Sequence, residues 1–191
     1  MFSTIRLSAM ALVLAISVTL LMHPVQAVAA SKAVIDRDAR AALNKLCKGN
    51  PMAQDLAGKA KGILVFPSIF KAGFVVGGQG GNGALFKNGK TVGYYNTAAA
   101  SYGLQAGAQE YGYAMFFMTD KAVAYLNKSG GWEVGVGPSI VIVDKETAAA
   151  YGKATTSSTV QSDIYSFIFS QKGLMAGLGL QGSKITKINP K

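Results

Sequence analysis

The fold turns on residues 60–109, AKGILVFPSIFKAGFVVGGQGGNGALFKNGKTVGYYNTAAASYGLQAGAQ. Ile63 to Phe66 is a β-branched and aromatic run ended by Pro67, and Gly73–Val76, Ala84–Lys87 and Thr91–Tyr95 repeat the texture. Such runs between glycines predict strands, and Asn88-Gly89 between the last two is a two-residue hairpin signal. Glycine inside a strand permits the bends and bulges of a strongly curved sheet. From Leu56 to Gln109 there is no Asp or Glu, whereas Lys59, Lys61, Lys71, Lys87 and Lys90 all fall inside. The expected surface is positive and laced with glycine.

Downstream, Tyr113–Met118 and Ser139–Val143 are continuous apolar runs, which suits strands covered on both faces. Thr119 caps a helix over Asp120–Lys128, closed by Ser129-Gly130-Gly131. Trp132–Val136, Asp163–Phe169, Leu174–Leu180 and Lys184–Ile188 complete the strands, and Lys145–Gln161, rich in Ala, Ser and Thr, reads as an exposed loop or lid. Upstream, Val34–Lys48 has apolar residues at helical spacing (Ile35, Ala39, Ala42, Leu43, Leu46), with Arg37, Arg40, Asn44 and Lys48 on the other face. Asp36 and Arg40 form an i,i+4 pair with the acid first. Gly49 ends this helix, and Asn50-Pro51 starts a short second one to about Ala57. The predicted class is α+β: a curved, largely antiparallel sheet or barrel-like core with an N-terminal helical segment and one further short helix.

Met1–Arg6 carries one positive charge, Leu7–Met22 is apolar, and His23-Pro24-Val25-Gln26-Ala27 supplies a breaker and a small-residue site. Residues 1–27 therefore read as a secretory signal peptide, the apolar run being short for a bilayer span, and residues 28–191 as one exported domain. The expected location is the periplasm or outside the cell, peripheral to a membrane. Half of the chain is apolar, enough for a real core. With the leader removed the domain is near +9 and has no histidine and one cysteine, Cys47. Ser-His-Asp and Cys-His sites, typical zinc or haem sites and an internal disulfide are excluded on those counts. No cofactor is expected. The positive charge points to an anionic partner, and in an exported protein a phospholipid surface is nearer than nucleic acid.

Three motifs fail on context. Gly78–Gly83 fits G-x-G-x-x-G, but the residues after it read as strand and turn, with no acid about 20 positions on, so the glycines are read as a tight hairpin. Ser68-Ile69-Phe70-Lys71 fits S-x-x-K without its partner motifs. Asp144 and Glu146, with Lys145 between them, read as a solvated turn. A binding role without catalysis is the principal reading. The alternatives are a carrier with a pocket in its sheet for a lipid or small hydrophobic molecule, and an enzyme of unrecognised class.

Five ordered blocks resemble the signature of SYLF domains: residues 60–68 (AKGILVFPS), 71–78 (KAGFVVGG), 102–109 (YGLQAGAQ), 120–123 (DKAV) and 173–177 (GLMAG). The resemblance runs from about Ala42 to Ile188. It implies non-enzymatic binding of anionic phospholipid with phosphoinositide-like headgroups, through basic residues and an N-terminal amphipathic helix; some fungal members engage actin. Carried to this sequence, the implied lipid-binding residues are Lys59, Lys61, Lys71 and Lys172, with Arg37, Arg40, Lys45 and Lys48 on the helix. Gln79 stands where a basic residue is expected, and Ser166–Ser170 is more apolar than the usual serine-rich version.

Overall fold

The computed structural model describes residues 31–144, 162–173 and 182–191. The expected leader, the Lys145–Gln161 loop and the Leu174–Leu180 strand lie outside them. The described residues begin with helices α1 (Lys32–Gly49) and α2 (Pro51–Lys59) and continue into strands β1 (Gly62–Lys87) and β2 (Lys90–Phe117). A short helix α3 (Asp120–Ala124) follows, continued by one 3₁₀ turn, and then β3 (Trp132–Glu133), β4 (Ile140–Val143), β5 (Ile164–Gly173) and β6 (Lys184–Ile188).

Each helix starts where its sequence supplies a cap. Ser31 accepts from the Val34 amide, Asn50 from that of Ala53, and Thr119 from that of Ala122, each satisfying an amide that the first turn leaves without a partner. Pro51 then occupies the first turn of α2, where its missing N–H costs nothing. At the other end of the folded chain, the Lys32 amide donates to the Lys191 carbonyl at 3.0 Å.

Among the described residues, strand β2 is the spine of one six-stranded sheet. It pairs with β1 along nearly its whole length; β5 pairs with its residues Gln109–Phe117, and β6 with Tyr94–Ala98. β3 extends the β6 side, and β4 runs parallel to β5 as the one parallel pairing among the described strands. The four separate runs read from residues 62–95 are thus segments of two long strands. Pro67 does not end β1: it falls in a register shift between Phe66 and Ile69, where a residue without an N–H is tolerated.

The β1–β2 hairpin is doubled over. The pairing skips from Gly73↔Gly107 to Val75↔Gly103, and a Cβ on Gly73 would collide with the Gly77 Cα. The later half of β1 then crosses its earlier half, so that a Cβ on Gly81 or Gly83 would strike the backbone of Ser68 or Val65. The glycine run Gly78–Gly83 therefore lies within a strand at a crossing rather than in a tight hairpin.

Alternation along β2 divides the core between two faces. Tyr111, Tyr113, Met115 and Phe117 point into the curl with Leu64, Phe66, Leu85 and Trp132, while Ala114 and Phe116 point outward beneath α1 and α2 with Val65, Phe86 and Phe167. Each large side chain removed from water contributes ~1.5–3 kcal/mol. Trp132, 1% exposed, packs edge-on against Phe117 and donates from its indole to the Val136 carbonyl at 2.9 Å. Residues Tyr111–Phe117 are buried on both faces as their apolar run requires. Strand β4 is not: Ile142 is 44% exposed, because β4 is at the sheet edge.

Candidate functional site

The basic residues named from sequence do not form one face. Lys61 stands at the start of β1, its amide bonded to the Phe117 carbonyl, and Lys71 lies ten residues further along. At ~3.3 Å per residue that is roughly 30 Å. Lys71 and Lys172 belong to the doubled end of the hairpin, where Lys71 pairs with Gln109 and Lys172 with Glu110. The Glu110 carboxylate there accepts a 2.7 Å bond from the Ser68 hydroxyl. On α1, Arg37, Lys45 and Lys48 point to solvent, with Arg37 ion-paired to Asp38 at 2.8 Å. Lys59 pairs with Asp55 at 2.6 Å in the last turn of α2.

A different set converges at the turn end of the hairpin. Asn88 and Gly89 adopt positive φ (48° and 72°), the geometry of a tight two-residue turn, and this places Lys87 directly across from Lys90. Arg40 reaches the same turn from α1. Its guanidinium donates to the Gly89 carbonyl at 2.8 Å and to Thr91 Oγ1 at 3.1 Å, and stacks over the Phe86 ring at 4.8 Å. Lys61 joins them because the hairpin is folded back: a Cβ on neighbouring Gly62 would contact Leu85 and the Phe86 carbonyl. Among the described residues, none of Arg40, Lys61, Lys87 and Lys90 is in an ion pair.

The Asp36–Arg40 pair expected from i,i+4 spacing is bridged instead of direct. Thr91 Oγ1 accepts from Arg40 and donates to Asp36 at 2.8 Å, and the Tyr94 hydroxyl donates to the second Asp36 oxygen at 3.0 Å. Both carboxylate oxygens are occupied, and burial together with the adjacent carboxylate raises the Tyr94 pKa.

Beside the turn, α1, the end of α2 and β1 enclose a cleft of about 420 Å³. Leu43, Ala57, Ala60, Ile63 and Phe86 form its floor. Arg40, Asn44 and Asn88 stand at its polar edge. A more open cleft of about 560 Å³ lies between the start of α1, β2 and β6, with Lys32 and Lys187 on its rim.

Lys87 and Lys90 are the members of the convergent set that the family resemblance did not single out. The string Lys87-Asn88-Gly89-Lys90 contains the signal, since a two-residue hairpin necessarily sets its flanking residues opposite one another. The inside of the curl near the doubled end holds polar side chains as well: Tyr111 donates to Gln79 at 2.9 Å, Gln79 to Ser183 at 3.0 Å, and Tyr113 to Thr97 at 3.1 Å. Gln79, which stands where a basic residue is expected, is thus committed to an internal network. Among the described residues there is no group of three side chains able to hold a metal ion, and no helix is long and apolar enough to cross a membrane.

A family model described as "Ysc84: Las17-binding protein actin regulator" matches residues 98–190. The match takes in most of β2 and everything after it, including the blocks at 102–109, 120–123 and 173–177. No curated protein matches the chain.

Proposed function

We propose that this chain, which belongs to the SYLF (Ysc84) family, is a non-enzymatic binding protein of the bacterial envelope that docks on anionic phospholipid with the turn end of its hairpin. The observation carrying this reading is the convergence of Arg40, Lys61, Lys87 and Lys90, none of them ion-paired among the described residues, beside a cleft with an apolar floor. Like charges directly opposite across a hairpin destabilise it. The Lys87–Lys90 pair is therefore a cost to the free protein that a phosphate-bearing surface offsets.

Each such cation near an anionic leaflet contributes ~1 kcal/mol, so four together favour the bound state roughly a thousandfold. Attraction of that kind weakens with salt, because the screening length falls from ~10 Å at 0.1 M to ~3 Å at 1 M. Lys45 and Lys48, exposed on α1, add to the same field at longer range.

Co-sedimentation with phosphatidylglycerol or cardiolipin vesicles, against phosphatidylcholine, tests the proposal. Pelleting with the anionic vesicles alone, lost in high salt, is expected. Lys61→Glu with Lys87→Glu should abolish it, while Lys71→Glu with Lys172→Glu, at the far end, should weaken it far less. If the protein stays in the supernatant with every lipid, or if the far-end pair is the more damaging, the reading is wrong. A protein partner, as the family's description names, then becomes the reading to pursue.

A further inference from the structure

Coulomb attraction to a charged surface has no use for an apolar cavity, yet Arg40 and the Asn88-Gly89 turn between Lys87 and Lys90 line one. We propose that the 420 Å³ cleft takes a single molecule of an anionic amphiphile, with a phosphate-bearing headgroup against Arg40 at its edge and the first carbons of its chain on the floor. This rests on the lipid reading and specifies which part of the molecule is recognised.

Size decides how much of a lipid enters. The volume lies in the lower part of the ~300–1,000 Å³ span of small-molecule sites, enough for a headgroup and the start of a chain and too small for two full acyl chains. The floor is suited to that part. Ile63 is 8% exposed and Phe86 4%, so both are fixed by the core behind them, whereas Leu43, Ala57 and Ala60 are half-buried and turn part of their surface to the cleft.

The charge at the edge has one sign. Arg40 spends two N–H groups on Gly89 and Thr91 and has five in all, so donors remain for a phosphate oxygen. The three carboxylates nearest in the chain are already engaged, Asp36 by Thr91 and Tyr94, Asp38 by Arg37, and Asp55 by Lys59. The Asn44 and Asn88 side chains, both exposed, supply neutral donors and acceptors for headgroup hydroxyls.

The test uses a lipid short enough to stay monomeric. Titrating the protein with dihexanoyl phosphatidylglycerol below its micelle concentration, followed by calorimetry or NMR shifts, should give saturable one-to-one binding. Dihexanoyl phosphatidylcholine and inorganic phosphate should each bind at least tenfold more weakly. Ala57→Phe and Ala60→Phe, made separately and checked for folding by the buried Trp132 emission, should each weaken short-chain lipid binding tenfold or more. If both folded variants bind as the wild type does, if inorganic phosphate binds as tightly as the lipid, or if the wild type pellets with vesicles without saturable monomer binding, the cleft proposal is overturned and the surface reading stands. Failure to bind any vesicle would overturn both.

Discussion

Gly83 and Val65 meet backbone to backbone: a methyl group on Gly83 would collide with the Val65 carbonyl oxygen and with the Phe66 ring. The two residues are on halves of one strand, so this contact is where the hairpin crosses itself. Neither the carbonyl nor the ring, both in the core, is free to retreat. Gly83→Ala should therefore cost ~1–3 kcal/mol or more, and lower the melting temperature by roughly 2–4 °C per kcal/mol. Gly58, in α2 with nothing within 4 Å of where a methyl group would sit, should respond in the opposite sense, gaining ~0.5–1 kcal/mol on change to Ala. Thermal unfolding followed by Trp132 emission decides both, and an unchanged Gly83→Ala would contradict the strand crossing.

The Tyr113 hydroxyl donates to Thr97 Oγ1 inside the curl, where the two residues are 1% and 2% exposed. Tyr113→Phe leaves a buried hydroxyl without this partner and should cost ~1–3 kcal/mol. Adding Thr97→Val removes the orphan and should recover part of that loss. Urea midpoints at constant slope measure both, and a double variant no better than the single would mean that Tyr113 matters by shape alone.

Alkali should unfold the protein through its tyrosines. Burial raises the Tyr95, Tyr111 and Tyr113 pKa values, Tyr111 to about 12, and burial with the Asp36 contact raises Tyr94. In the unfolded chain all four ionise near ~10. Their contribution is fully present below pH ~10 and is lost as pH rises through the folded values, because the unfolded state then gains ionisation that the folded state resists. Phenolate absorbance at 295 nm should show these groups titrating together with the loss of Trp132 burial, in one cooperative step above pH 10. Smooth ionisation with the fold intact would contradict the buried placement.

Asp163 predicts the acid side. Its carboxylate accepts from the Ser139 amide at 3.1 Å and hydroxyl at 3.0 Å, with a longer bond from Thr119, and these contacts hold its pKa below the usual range. A depressed carboxylate stabilises the fold above its unfolded pKa and loses that contribution as pH falls through the folded value. Asp163→Asn should flatten the acid limb of a stability profile below pH ~4, and should loosen β4 from β5 in hydrogen exchange at every pH.

Periodicity and capping make the helices readable in the sequence: Asn50 and Thr119 cap where the sequence places a start, and the helix read from Val34 begins two residues earlier, capped by Ser31. The Asn88-Gly89 turn is equally legible, being a local signal. What local signals do not encode is that Phe66, Pro67 and Ser68 continue one strand, since a bulge keeps pairing intact across a residue that reads as a terminator. The crossing at Gly81 and Gly83 is a contact between segments about 15 residues apart, and glycine spacing cannot distinguish it from a turn. The same limit governs the site. Arg40 and Lys61 are identified from sequence, but Lys71 and Lys172 are grouped with them because charge along a sequence carries no information about which end of the long hairpin a residue of β1, or of its neighbour β5, comes to occupy.

The hydrogen bond from Lys32 to Lys191 has a topological implication. Because Lys32 touches Lys191, two residues at opposite ends of the described segments meet in space, and a short link could join them without disturbing the sheet between. A permuted protein, with residues 31 and 191 joined by a few glycines and new ends at the exposed Ser129-Gly130, would keep every strand neighbour and leave the cleft by Arg40 intact.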